Sequence, residues 1–303
     1  MQNIKNTETL DHKLELFDIL NSEAITVRDN DKILIRSMFR NFYGKKLNVG
    51  IGFQRAYGSI LSGDYFDLIK LPDGNYLFVF ADVSGHGLPA YTTLIRLRSA
   101  ITIAVNDMKL IYKSSGIFDA DYLIKHITSI FTSIMEAVKS DDFASVNFTF
   151  ISNEEKGFRL KFYSRGMLFP MILRRNGERP NEIINLNKVS ENWKPSKGFL
   201  LCRNIEILLG DIYYDTPFSD FLMQEGDSIL YFSDGILEAC HSEASSDEYG
   251  ENRIEEAFID HGKLPPQAAV NLIFQSVYEY IGVPQMQKDD MTAVLIDFPR
   301  MTD

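Results

Sequence analysis

Cysteine, tryptophan and positive charge are all scarce in this chain of 303 residues, which holds two cysteines, one tryptophan and 31 lysines and arginines against 42 acids. The two thiols, Cys202 and Cys240, have neither CxxC spacing nor a secreted-type framework, so they read as packing residues of a reducing compartment. The net charge of −11 leaves no basic stripe to neutralise phosphates, which argues against a nucleic-acid partner. No uninterrupted apolar run approaches the roughly 18 residues of a membrane span. Residues 1–20 are polar and acidic, unlike a secretory leader, so the expected location is cytoplasmic. The five histidines, His12, His86, His126, His241 and His261, lack zinc-type spacing.

What remains is an ordinary globular composition, 45% hydrophobic and 24% charged. The spacing of Leu10, Leu14 and Phe17, then of Leu34, Met38 and Phe42, predicts two amphipathic helices. They form an N-terminal helical arm, 1–43, ahead of one large domain, 44–303. The apolar face of the arm serves dimerisation or partner contact, or else packs on its own domain.

Strand patterns begin at Leu47–Tyr57. A hairpin follows: Tyr65–Leu71, a Pro72-Asp73-Gly74-Asn75 turn, and the apolar run Tyr76–Ala81, which suits a strand buried on both faces. Two helices come next. Leu88–Leu110 carries the stripe Leu94, Leu97, Ile101, Ala104 and Met108; Ala120–Lys139 carries Leu123, Ile127, Ile130, Ile134 and Val138. Strands dominate from Phe143 to Phe232, with turns at Asn153–Gly157 and Asn176–Pro180. Helices near Gly250–Ile259 and Pro266–Ile281 and a last strand, Met291–Phe298, close the chain. Strands, helix pair, strands, helix pair, strand is not βαβ alternation. It predicts an α+β fold, an αββα sandwich of two mostly antiparallel sheets flanked by helix pairs.

Four aspartates lie at strand edges: Asp64 in SGDYFD, Asp82 in ADVSGHG, Asp234 in YFSDG, and Asp289 in KDDMTAV with Asp290 beside it. A carboxylate at the end of a buried strand is costly, and several together repel one another. Bound divalent cations offset both effects, and hard oxygen ligands favour magnesium, manganese or calcium over zinc. Ser84 sits in a segment like a catalytic-serine loop but lacks the GxSxG elbow; Gly85 and Gly87 fit a tight turn instead.

Taken in order, these motifs resemble the PPM-type metal-dependent protein phosphatases (protein phosphatase 2C-like), specifically the bacterial SpoIIE/RsbU-like branch. SGDYFD is similar to that branch's GGDYYD, ADVSGHGLPA to GDVSGHGxPA, QEGDSILYFSDGILEA to PGDxLLLYTDGxxEA, and KDDMTAVLI to DDMTxVVL. The resemblance spans about Leu47 to Phe298. It implies that Asp64, Asp82, the Val83 carbonyl, Asp234 and Asp289 hold two divalent cations, Mn2+ or Mg2+, with Asp82 bridging them. It implies hydrolysis of phosphoserine or phosphothreonine by a metal-activated water, on a regulatory phosphoprotein such as an anti-sigma-factor antagonist, with regulation through Leu88–Leu110. His86 is open between general acid and helix cap. Arg55, the nearest counterpart of the phosphate-binding arginine of eukaryotic relatives, reads as a surface residue. Where the family has an AGH-like turn this chain has Ser164-Arg165-Gly166-Met167, and its PLG-like segment appears as Lys197-Gly198-Phe199-Leu200-Leu201. The rival from another class is a catalytically silent module of the same fold that binds a partner. A haloacid-dehalogenase-type phosphatase is disfavoured because no DxDxT-like loop is present.

Overall fold

The computed structural model describes residues 42–43, 47–155, 157–175, 182–188, 197–203, 218–242 and 247–298. The turn expected at Asn176–Pro180 and the arm, apart from Phe42 and Tyr43, lie outside them.

The strands are β1 (Asn48–Gln54), β2 (Tyr65–Lys70), β3 (Tyr76–Val83), β4 (Ala144–Glu154), β5 (Gly157–Arg165), β6 (Met171–Arg174), β7 (Glu182–Asn185), β8 (Lys197–Gly198), β9 (Ser219–Met223), β10 (Ser228–Phe232) and β11 (Met291–Asp297). One sheet, I, has the order β1-β11-β10-β6-β7; the other, II, has β2-β3-β4-β5-β8 with β9 also paired to β5. All pairings are antiparallel except β5 with β8. Helices α1 (Gly87–Ser115) and α2 (Ala120–Val138) follow β3. Short α3 (Asp234–Leu237) follows β10, and α4 (Gly250–His261) and α5 (Pro266–Ile281) precede β11.

Period-two patterning decides the layering. In β3, Tyr76, Phe78 and Phe80 join Ile229 and Tyr231 of β10 and Val294 and Ile296 of β11 between the sheets. Leu77, Val79, Ala81 and Val83 point the other way, against Leu97, Ile101 and Phe131 of α1 and α2. Leu230, Phe232, Ala293 and Leu295 face α4 and α5. Both faces of β3 are therefore covered, which is why Tyr76–Ala81 reads as an unbroken apolar run. Each such side chain, fully buried, contributes about 1.5–3 kcal/mol. The result is the expected αββα sandwich.

Two local expectations shift. The buried stripe of α2 is Leu123, Ile124, Ile127, Phe131 and Met135, while Val138 is exposed. The helix is tilted about one residue from the face the spacing picked out. Phe42, which its spacing puts on the apolar face of the arm, belongs to the core of the domain. It is fully buried between the sheets and packs on Tyr76 and Phe158. Pro266 opens α5 at its first turn, where its missing N–H has no partner to lose.

Candidate active site

The four aspartates stand at or beside the ends of strands of both sheets, at one end of the sandwich. Asp64 immediately precedes β2, and the β2–β3 register pairs Tyr65 with Ala81, so Asp64 and Asp82 stand side by side in sheet II. Asp234 opens α3 directly after β10, and Asp289 lies just before β11, its neighbour in sheet I. Counting in twos along β3 and β2 puts Asp82 and Asp64 on the rows of Phe80 and Phe66, facing sheet I.

Their charges are coupled across the gap. Burial, then the charges of Asp64 and Asp234, push Asp82 well above the usual carboxylate range, and Asp289 adds to the shift. Asp64, 2% exposed, is raised by burial, then by Asp290, while hydroxyl donors oppose the shift. Burial pushes Asp289 up to about 6, with the Asp290 amide, which donates to its Oδ1 at 2.7 Å, pulling the other way. Among the described residues no three His, Cys, Asp or Glu side chains are gathered tightly as a metal-holding group. The aspartates are neighbours by charge, and two of them are partly turned onto other partners.

Those partners were not picked out from sequence. Asp64 Oδ2 accepts from Thr292 Oγ1 at 2.6 Å and Ser233 Oγ at 3.0 Å, both on sheet I. Ser62 Oγ accepts the Asp64 amide at 3.0 Å. Ser233 and Thr292 sit inside the quoted motifs YFSDG and KDDMT, the first just past β10 and the second on an inward position of β11. A hydroxyl amid apolar β residues was the available signal.

Backbone fit around the aspartates depends on glycine. A Cβ on Gly235 would stand 2.1 Å from the Asp290 carbonyl oxygen, and one on Gly63 would stand 2.7 Å from that of Val83. Gly85 and Gly87 have φ of 79° and 74°, the left-handed values that turn β3 into α1. Ser84 is tied into that turn. Its amide donates to the Phe143 carbonyl at 2.9 Å, and its Oγ accepts the Phe143 amide at 3.0 Å. His86 holds the N-cap position of α1, but its side chain makes no cap bond. It is exposed, with Nδ1 3.1 Å from Ser59 Oγ, and its charge lowers the Asp289 pKa.

Arg55 is not a free surface residue. It is half-buried, and its guanidinium donates to the Ile60 carbonyl, bracing residues 55–60. Met167, in the place of the family histidine, is core rather than rim: it is 3% exposed, and Ser145 Oγ lies 3.2 Å from both its Sδ and the Asp82 carbonyl. Arg165 is fully buried, with its guanidinium carbon 5.0 Å from the Tyr163 ring centroid. A 400 Å3 cavity lined by Ile95, Arg98, Ser99, Thr102 and Ile103 lies along α1 and includes none of the aspartates.

The donor set fits hard divalent cations: carboxylates and a carbonyl, with no thiolate or imidazole cluster. Oδ1 of Asp234 is buried and has no hydrogen-bond partner. An unmet acceptor among like charges is what a cation would satisfy.

Solved structures with this fold include the SiaA-PP2C domain of Pseudomonas aeruginosa, at TM-score 0.66 and 16% identity over 95% of this chain and 98% of that one. The PP2C phosphatase domain of SpoIIE from Bacillus subtilis, with a fragment of its regulatory domain, matches at TM-score 0.56 and 18% identity, covering 85% of this chain and 65% of that one. The RsbU and RsbW domains of Rv1364c from Mycobacterium tuberculosis match at TM-score 0.54 and 15% identity, covering 85% and 61%. No curated protein matches the chain. The fold is thus of the protein phosphatase 2C class. Within it the chain belongs to the SpoIIE family, whose model, Stage II sporulation protein E, matches residues 72–190 and 203–299. No described helix is long and apolar enough to cross a membrane.

Proposed function

We propose that the protein is a metal-dependent phosphatase acting on phosphoserine or phosphothreonine of a regulatory phosphoprotein, such as an anti-sigma-factor antagonist. What supports this reading is the strand register that sets Asp64 beside Asp82, with Asp234 just past β10 and Asp289 just before β11 at the same end of the sandwich. Membership of the SpoIIE family supports the phosphatase class.

Asp64, Asp82, Asp234, Asp289 and the Val83 carbonyl would hold two divalent cations, Mn2+ or Mg2+. When bound, such ions activate water and offset charge on phosphoryl oxygens. The chain's own contribution is positioning. Thr292 and Ser233 direct Asp64, the Phe143 backbone holds the turn that follows Val83, and the buried strand β3 fixes Asp82. No phosphoenzyme is required, and Ser84 is engaged with the backbone. The apolar face of residues 1–41 serves dimerisation or partner contact, or else packs on its own domain. Because Phe42 is core, the truncation that checks this removes residues 1–41 and reads oligomeric mass.

Hydrolysis of para-nitrophenyl phosphate with Mn2+ or Mg2+, and with a chelator, tests the proposal. Turnover that depends on the ion, and falls by orders of magnitude in Asp82→Ala with its fold retained, is expected. Near-wild-type turnover of Asp82→Ala in manganese would discard the scheme, and an inactive but folded wild-type chain would favour the silent module.

A further inference from the structure

Residues 55–64 carry the chain from sheet I to sheet II across the aspartate end of the sandwich, and one side chain grips both ends of that crossover. Asp290, 2% exposed, accepts the Ala56 amide on Oδ1 at 2.9 Å and the Gly63 amide on Oδ2 at 2.8 Å. Ala56 stands two residues beyond β1, and Gly63 two residues before β2. Gln287, three residues before Asp290, grips the same segment: its Nε2 donates to the Arg55 carbonyl at 2.6 Å, and its carbonyl accepts the Tyr57 amide at 2.9 Å. Gly63 in turn packs against the Val83 carbonyl, where a side chain would not fit.

We infer that Asp290 is a positioning residue rather than an ion ligand, a clasp that sets the spacing of the two sheets where the acids meet. The inference rests on the reading of Asp64, Asp82, Asp234 and Asp289 as ligands. Both oxygens of Asp290 are aimed at backbone N–H groups of the crossover. The residue type suits the task. An ionised carboxylate is acceptor-only and can take two amides at once, with charge-assisted strength. Asparagine in the same place would turn an NH2 group toward one of those N–H donors. The clasp works through Gly63: it holds the residue next to Asp64 and against Val83, so two donors of sheet II take their position from a side chain of sheet I.

The test compares wild type, Asp290→Asn and Asp289→Asn in three measurements: amide hydrogen exchange over residues 55–64, Mn2+ binding by calorimetry, and kcat and KM on para-nitrophenyl phosphate. Asp290→Asn is expected to bind as many manganese ions as wild type, about 10- to 100-fold more weakly. Its kcat should fall with KM little changed, and the Ala56 and Gly63 amides should exchange faster. Asp289→Asn should lose an ion. If Asp290→Asn loses an ion in the same way, Asp290 is a ligand and the inference is overturned; unchanged exchange at Ala56 and Gly63 overturns it too. Should Asp290→Asn fail to fold, wild-type exchange decides: the two amides are expected to be protected like those of β2, and open-loop rates refute the clasp. A wild-type chain that binds no manganese removes the ligand reading and the positioning role with it. Failure of the clasp alone leaves the ligand reading standing.

Discussion

Tyr231 and Thr149 join the two sheets through a hydrogen bond of 3.0 Å between their hydroxyls, with neither side chain reached by solvent to any useful extent. Thr149 passes its own proton to Asn147 Oδ1 at 3.0 Å, so a polar thread runs through the apolar space between β10 and β4. Tyr231→Phe keeps the ring contacts with Phe78 and Phe80 and removes only the donor. The expected loss is about 1 kcal/mol, the usual net worth of one such bond. It is read as a lower urea midpoint at unchanged slope.

Gly235→Ala places a methyl group where the Asp290 carbonyl oxygen stands, 2.1 Å away. Backbone cannot swing aside as a long side chain can, so α3 must shift relative to β11. A loss of roughly 1–3 kcal/mol is expected from overpacking, together with reduced turnover, since Asp234 and Asp289 flank the contact. Thermal unfolding checks the first, a phosphatase assay the second.

Metal-free stability should fall as pH rises from about 4 to about 7. Burial raises Asp64, Asp82 and Asp289 in the folded chain, Asp289 to about 6. The folded state therefore binds more protons than the unfolded one in this window. Stability from a raised carboxyl pKa is complete below the unfolded value near 4 and is lost as pH climbs through the folded value. Urea unfolding in chelator at several pH values measures the slope; adding manganese should flatten it, because ions bind the deprotonated acids. A stability that rises steadily with pH in chelator contradicts the coupling.

Ser84→Ala should retain turnover within a few-fold while losing about 1 kcal/mol, because the hydroxyl serves the Phe143 amide. Loss of all activity with the fold intact would instead make Ser84 a nucleophile.

Much of this was legible in the residues. The double coverage of β3 follows from Tyr76–Ala81 having no polar position, and the end of the sandwich at which Asp82 stands follows from where that run stops. The four aspartates could be singled out because each stands at the edge of an apolar strand and the motifs around them occur in the order of the family they resemble. Ser233, Thr292, Gln287 and Asp290 could not be given their roles in the same way. Each acts on a segment far away in the chain, and only the approach of one sheet to the other makes the pairs.

The pairing of β1 with β11 runs from Asn48 opposite Asp297 to Gln54 opposite Met291. The acids lie at the Gln54–Met291 end, so the first and last strands enter and leave together at the other end, roughly 20 Å away along seven residues of extended chain. A fluorophore or tether attached ahead of β1 or after β11 would sit remote from the reaction zone, and both attachment points would be neighbours. An optical reporter could therefore be hung on either side without crowding the aspartates.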